Sequence, residues 1–178
     1  MIIIFAGPSG SGKTTIITKL MSICPQFKII NVDVDSGSCR NYEGTIGRRF
    51  VSKEYFEDNI KKKHYSAVNF YDLSKYGYCF PSKVELKKDT YILDYPGEYP
   101  ECAELANLNW QGVLVLPPSK QVLERRLLIA GRQNRIESAC AEFEECLKEL
   151  ENGEYKTWTV IINDSILEID KKLISIFC

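Results

Sequence analysis

The chain is short of several things, and each shortage removes a class of answer. Its 178 residues hold one histidine, His64. That histidine has no cysteine or carboxylate partners at metal-ligand spacing, so it reads as a surface side chain. Seven cysteines stand at positions 24, 39, 79, 102, 140, 146 and 178, an odd number with no C-x-x-C pair. They read as reduced packing thiols of a cytoplasmic protein, not as a disulfide framework or a metal set. The formal net charge is -1, so no global field draws nucleic acid or an anionic membrane. The longest apolar runs fall far short of a bilayer span. The N-terminal run has no basic leader, which makes it a strand and not a signal peptide. Internal repeats and low-complexity stretches are also missing. What remains is an ordinary globular composition at a length that fits one domain with a substantial core.

The strongest feature present is Gly7-Pro8-Ser9-Gly10-Ser11-Gly12-Lys13-Thr14-Thr15, a match to G-x-x-x-x-G-K-[ST] without mismatch. Ile2-Ile3-Ile4-Phe5-Ala6 before it reads as a buried strand, and Thr15 to Met21 after it as the first turns of a helix. Strand, glycine loop and helix together are the setting of a phosphate-binding loop. Its glycines let successive N–H groups turn towards an anion, and the helix N-terminus adds partial positive charge. Gly7, Ser9, Gly10, Ser11, Gly12, Lys13, Thr14 and Thr15 are therefore expected to hold a nucleoside triphosphate. Lys13 reaches the β- and γ-phosphates, and the Thr14 hydroxyl serves Mg²⁺.

Further along, Lys28–Val32, Tyr91–Asp94, Val113–Leu116 and Trp158–Ile162 read as strands, with helices between them. Five buried strands alternating with helices predict an α/β core, a five-stranded parallel sheet covered on both faces. The glycine-punctuated stretch 41–51 predicts a small antiparallel sheet or lid. Ser52 is an expected helix N-cap, and Ser82-Lys83-Val84-Glu85 an expected capping box. Residues 65–80, rich in tyrosine and phenylalanine, read as hairpin strands. Ser119 should cap a helix through Ile129, which Gly131 to Arg135 interrupt. The helix after it carries Ile136, Ala139, Cys140, Phe143, Cys146, Leu147 and Leu150 on one stripe. Asp94, at the C-terminal end of a strand, is expected near the phosphate crevice.

This order of features resembles the guanylate kinase family of P-loop nucleoside monophosphate kinases, nearly end to end. Phe50-Val51-Ser52 with Glu54 and Phe56 is similar to the family's F-V-[ST] helix entry, and Tyr76-Gly77 to its phosphate-contacting hairpin. Leu116-Pro117-Pro118-Ser119 with Leu123 and Arg126-Leu127 resembles its P-P-S segment, and Ile162-Asn163-Asp164 its last strand and turn. The resemblance implies a core at 1–33 and 89–178, an inserted acceptor-binding subdomain at about 34–88 and a lid near 130–138. It implies ATP and Mg²⁺ as cosubstrate and cofactor, small-molecule nucleotide partners, no nucleic acid or membrane partner, and a cytoplasmic monomer or homodimer. Lys13, Arg40, Arg126, Arg132 and Arg135 would be the catalytic cations. Asn163 would join the ATP site. Ser36, Arg40, Arg48, Arg49, Tyr76 and Asp94 would form the acceptor site, and Thr14 and Asp94 would serve the metal.

The chain departs from the family on the acceptor side. R-x-P-R-x-G-E becomes Arg40-Asn41-Tyr42-Glu43-Gly44, which lacks the second arginine. The tyrosine ahead of F-V is Arg48 or Arg49, either of which could supply the lost charge. The guanine-reading glutamate, counted from Tyr76-Gly77, falls on Ala67. D-x-D-x-Q-G becomes Asp94-Tyr95-Pro96-Gly97. GMP is the leading acceptor. Another phosphorylated small molecule, such as a ribose bisphosphate, or a non-catalytic protein-binding module of the same fold stays open at this stage. A GTPase switch is disfavoured, because no N-K-x-D sequence is present.

Overall fold

The computed structural model describes residues 1–35, 46–71, 74–95 and 107–177. From the N-terminus the elements are β1 (Ile2–Ala6), α1 (Lys13–Ile23), β2 (Lys28–Ile29), β3 (Val32–Asp35), β4 (Arg48–Phe50), α2 (Lys53–Lys61), β5 (Ala67–Tyr71), β6 (Ser74–Tyr78) and α3 (Lys83–Lys88). They continue with β7 (Tyr91–Asp94), β8 (Trp110–Leu116), α4 (Lys120–Ile129), a 3-10 turn (Gln133–Arg135), α5 (Ile136–Asn152), β9 (Thr159–Ile162) and α6 (Ile166–Phe177).

The main sheet is parallel throughout, in the order β2-β7-β1-β8-β9. It is the five-stranded parallel sheet expected from the alternation of apolar runs and helices. Successive β1 side chains point to opposite faces, as the period of a strand requires. Ile3 and Phe5 pack with Ile16, Ile17 and Leu20 of α1 and Ile169 and Leu173 of α6. On the other face, Ala6, Leu114 and Leu116 pack with Leu123 and Leu127 of α4 and Ala139, Phe143 and Cys146 of α5. Both faces are therefore covered, and the crevice opens where β1 and β7 end.

A second sheet, in the order β4-β3-β6-β5, sits against Ile2, Ile4 and Leu93 through Val32, Val34, Tyr76 and Tyr78. Two expectations need correcting here. Lys28–Val32 is not one strand: only Lys28–Ile29 joins the main sheet, and after Ile30 donates to Ile92 O the chain enters the second sheet at Val32. The described part of 41–51 is also not antiparallel, because β4 runs parallel to β3, while β6 runs antiparallel to both β3 and β5.

The helix caps fall where the sequence puts them. The hydroxyls of Ser52, Ser82 and Ser119 accept from the backbone N–H of Tyr55, Glu85 and Val122, and Glu85 closes the capping box on Ser82. In the α5 stripe Ala139, Cys140, Phe143 and Cys146 are buried and Ile136 and Leu150 half-buried, while Leu147 is exposed and Glu142 is buried beside the stripe. No helix among the described residues is long and apolar enough to cross a membrane.

Candidate functional site

The loop after β1 is shaped by backbone that only glycine tolerates. Gly7 has φ +131°, and a Cβ there would lie 2.2 Å from Val115 O on β8. Gly12 has φ +99°, and its Cβ would lie 2.1 Å from Asn163 Nδ2. A side chain at Gly7 would push the loop off β8, and one at Gly12 would displace the Asn163 amide from a backbone that other residues rarely adopt. Two groups that also line the cavity brace the loop. Asn163 Nδ2 donates to Ser11 O at 2.7 Å, and Arg126 donates to Ser11 O at 3.2 Å and to Asn163 O at 2.7 Å. Helix α1 begins with no side-chain cap and no acid in its first turn. Its leading N–H groups are thus left for an anion.

Lys13 is buried and folds back, its Nζ donating to the carbonyls of Gly7 and Pro8. Burial pushes its pKa below the ordinary lysine value. Asp94 opposes that shift and Arg48 adds to it. An ammonium held in this way lacks full neutralisation, so an arriving polyphosphate would stabilise it.

Asp94 ends β7, paired in register with Phe5 just ahead of the loop. Facing it across the crevice, Arg48 of β4 donates from Nη2 to Asp94 Oδ2 at 2.8 Å. The Arg48 guanidinium lies 5.9 Å from the centre of the Tyr76 ring. Burial alone would lower its pKa; Asp94, then Tyr76 and Tyr78, more than offset this, and it sits above the ordinary arginine value. Ser9, Gly10, Gly12, Lys13, Thr14, Thr15, Arg48, Asp94, Arg126, Arg132 and Asn163 line one cavity of about 450 Å³. The Lys13 loop and the Arg48–Asp94 pair therefore meet in a single space.

Other expected site residues lie apart from that group. Arg49 points to the opposite face of its strand and holds Asp33 through two bonds of 2.7 and 2.8 Å, with Tyr55 Oη accepting a third. That is the alternation of a β-strand: of Arg48 and Arg49, only one can face the crevice. Tyr76 is buried beneath Arg48 and does not reach the cavity wall. Arg135 is buried behind the wall, its Nη2 3.6 Å from Glu142 Oε1. Arg132 reaches the loop itself, donating to Ser9 Oγ at 3.2 Å. Ser36, Arg40, Pro96 and Gly97 lie outside the described residues.

Sequence reasoning passed over Glu142. Its carboxylate accepts from the Ser9 backbone N–H at 2.7 Å. The available signal was a carboxylate inside an apolar helical stripe, seven residues and so two turns after Arg135.

The donor set fits a hard divalent cation. Asp94 Oδ1 is buried with no hydrogen-bond partner among the described residues, and Thr14 lines the same cavity. An ionised carboxylate oxygen and a hydroxyl, with phosphate oxygens completing the shell, are what Mg²⁺ takes.

Comparison with known proteins gives the same direction. The family model described as Guanylate kinase matches residues 1–177. The chain is 32% identical over 178 residues to a guanylate kinase of Shewanella denitrificans, covering 92% of this chain and 79% of that protein. It is 29% identical to a guanylate kinase of Clostridium tetani, covering 99% of this chain and 84% of that protein. It is also 29% identical to guanylate kinase 1 of Arabidopsis thaliana, covering 96% of this chain but only 45% of that longer protein. The fold matches the crystal structure of guanylate kinase from Anaplasma phagocytophilum with a TM-score of 0.63 at 17% identity, over 99% of this chain and 82% of that one. With the family model spanning the chain and the phosphate loop, strand carboxylate and second sheet in place, the chain belongs to the guanylate kinase family.

Proposed function

We propose that this protein is an ATP-dependent nucleoside monophosphate kinase whose acceptor is GMP. The observation that carries the reading is the shared cavity, with the Lys13 loop on one wall and the Arg48–Asp94 pair on the other. The relatives named guanylate kinase supply the acceptor.

Phosphoryl transfer asks the protein mainly to align two anions and to neutralise the charge between them. The loop amides and Lys13 hold the donor phosphates, and Asn163 and Arg126, at the same cavity wall, keep the loop in shape. Thr14 and Asp94 would hold Mg²⁺, which when bound would supply charge neutralisation at the donor phosphates. Arg48 presents its guanidinium to the acceptor phosphate while staying paired with Asp94, with Tyr76 fixing the plane of the group. Its Nε is buried with no partner among the described residues, so a donor is in reserve for that phosphate. Arg132, from the lid at about 130–138, faces the transferred group across Ser9. The segment at about 34–88 acts as the acceptor-binding insertion, to which Arg40 and Ser36 belong. Ala67, at the place of the family's base-reading glutamate, is buried in the core between the sheets, so a carboxylate at that position is not the basis of base reading here. The reading includes a cytoplasmic monomer or homodimer acting on free nucleotides.

The test is the purified protein with ATP, Mg²⁺ and GMP, AMP, CMP, UMP or ribose 1,5-bisphosphate, with ADP followed by a coupled assay. ADP formation that depends on GMP above the other acceptors supports the reading. No acceptor-dependent ADP with any of them would overturn it.

A further inference from the structure

We infer that Glu142 is a positioning residue for transfer, clamping the phosphate loop to helix α5 so that Arg132 is held over the cavity. The inference rests on the phosphotransferase reading above.

A carboxylate is a poor neighbour for a loop built to bind phosphate. It adds negative charge where a polyanion must sit, and taking it out of water is costly unless it is paired. Glu142 is nonetheless buried, its side chain 10% exposed, on a stripe otherwise made of Ala139, Cys140, Phe143 and Cys146. Anion affinity therefore does not explain it, but its contacts do. One oxygen accepts from the Ser9 backbone N–H at 2.7 Å, and the other lies 3.6 Å from Arg135 Nη2. The same Ser9 accepts from Arg132 through Oγ at 3.2 Å. Ser9 is thus gripped at its backbone by α5 and at its side chain by the residue entering the 3-10 turn.

Arg135, the N-cap of α5, stands seven residues and so about two turns before Glu142, on the same side of the helix. Their pairing ties the start of α5 to the point where the helix touches the loop. The result is a closed circuit: loop to Glu142, Glu142 to Arg135, Arg135 through Gln133 and Asn134 to Arg132, and Arg132 back to the loop. Arg135 N–H donates to Arg132 O at 3.0 Å, which closes the turn. Within this circuit only Ser9 and Arg132 line the cavity, so Glu142 acts through them.

A double-mutant cycle tests this, with Glu142→Ala, Arg132→Ala and the double variant assayed for kcat and for both KM values, alongside melting temperature. If Glu142 positions Arg132, Glu142→Ala should lower kcat about 10-fold with the GMP KM within about 2-fold, because alignment and not uniform binding is lost. In the Arg132→Ala background the same substitution should then cost less than about 2-fold, since residues acting as a unit are not additive. Glu142→Gln keeps an oxygen for the Ser9 N–H and should retain at least about a third of kcat. Should Glu142→Ala not fold, the cycle is run with Glu142→Gln, whose smaller loss must likewise vanish without Arg132. Additive losses, or a lowered melting temperature with kcat unchanged, would overturn the inference. A wild-type protein without transfer activity would instead defeat the kinase reading, so the two failures are separable.

Discussion

The phosphate loop is braced by Asn163 and Arg126, both donating to Ser11 O, from 152 and 115 positions away. The opposite wall carries the Arg48–Asp94 ion pair, closed across 46 positions of chain. The loop's shape follows from contiguous residues: glycines with positive φ, an uncapped helix start and a lysine folded back over the turn. The Arg48 wall, proposed to take the acceptor, has no such local code. It needs a strand of the second sheet to arrive in register beside the main sheet, and its charge comes from whichever side chain faces inward. One half of the cavity is therefore robust and generic, while the other is where specificity can change.

The sharpest way to break the donor half is Lys13→Ala. Removing one preorganised charge at a developing anion costs roughly 10²- to 10³-fold in kcat, so turnover should nearly vanish in steady-state assay while the circular dichroism spectrum is unchanged. The acceptor half is broken by Arg48→Met. A hydrogen bond to a charged group contributes about 1.5–3 kcal/mol, so the GMP KM should rise roughly 10- to 100-fold in initial-rate assays. The ATP KM should stay within about 2-fold, because uniform loss of acceptor binding leaves donor binding alone. Equal changes in both KM values would mean that the two walls are not separate.

A smaller effect is expected where the loop is braced. Asn163→Ala removes one neutral hydrogen bond, and at about 1 kcal/mol this corresponds to roughly a 5-fold weaker ATP KM or kcat. Arg126 still holds Ser11 O, so the loop should not collapse. Smallest of all is Arg49→Ala. Its side chain is 58% exposed and points away from the cavity, and the buried Asp33 keeps Tyr65 Oη as a donor when the arginine is removed. A small fall in melting temperature with kinetic constants unchanged would sharpen the distinction between the two neighbouring arginines.

How much of this was legible in the sequence follows the same division. The loop, the parallel sheet, the serine caps and the hairpin were readable, because each is written over a few neighbouring residues with a known period or cap. The choice between Arg48 and Arg49 was not, since it depends on which face of β4 meets the main sheet. The split of the Lys28–Val32 run and the parallel pairing of β4 were equally hidden, for strand partners are chosen by distant residues. Glu142 escaped notice because helical periodicity weighs apolar positions and treats a charge among them as noise. It is buried because the Ser9 N–H and Arg135 are waiting for it, and both become neighbours only on folding.

The central claim is that the Lys13 loop and the Arg48 wall exchange a phosphoryl group across one cavity. It is tested most directly by giving the protein ATP labelled in the γ-phosphate, with Mg²⁺ and GMP, and following the label. The account predicts label in the β-phosphate of GDP with the wild-type chain and none with Lys13→Ala. Label appearing only as inorganic phosphate, or remaining in ATP, would contradict it.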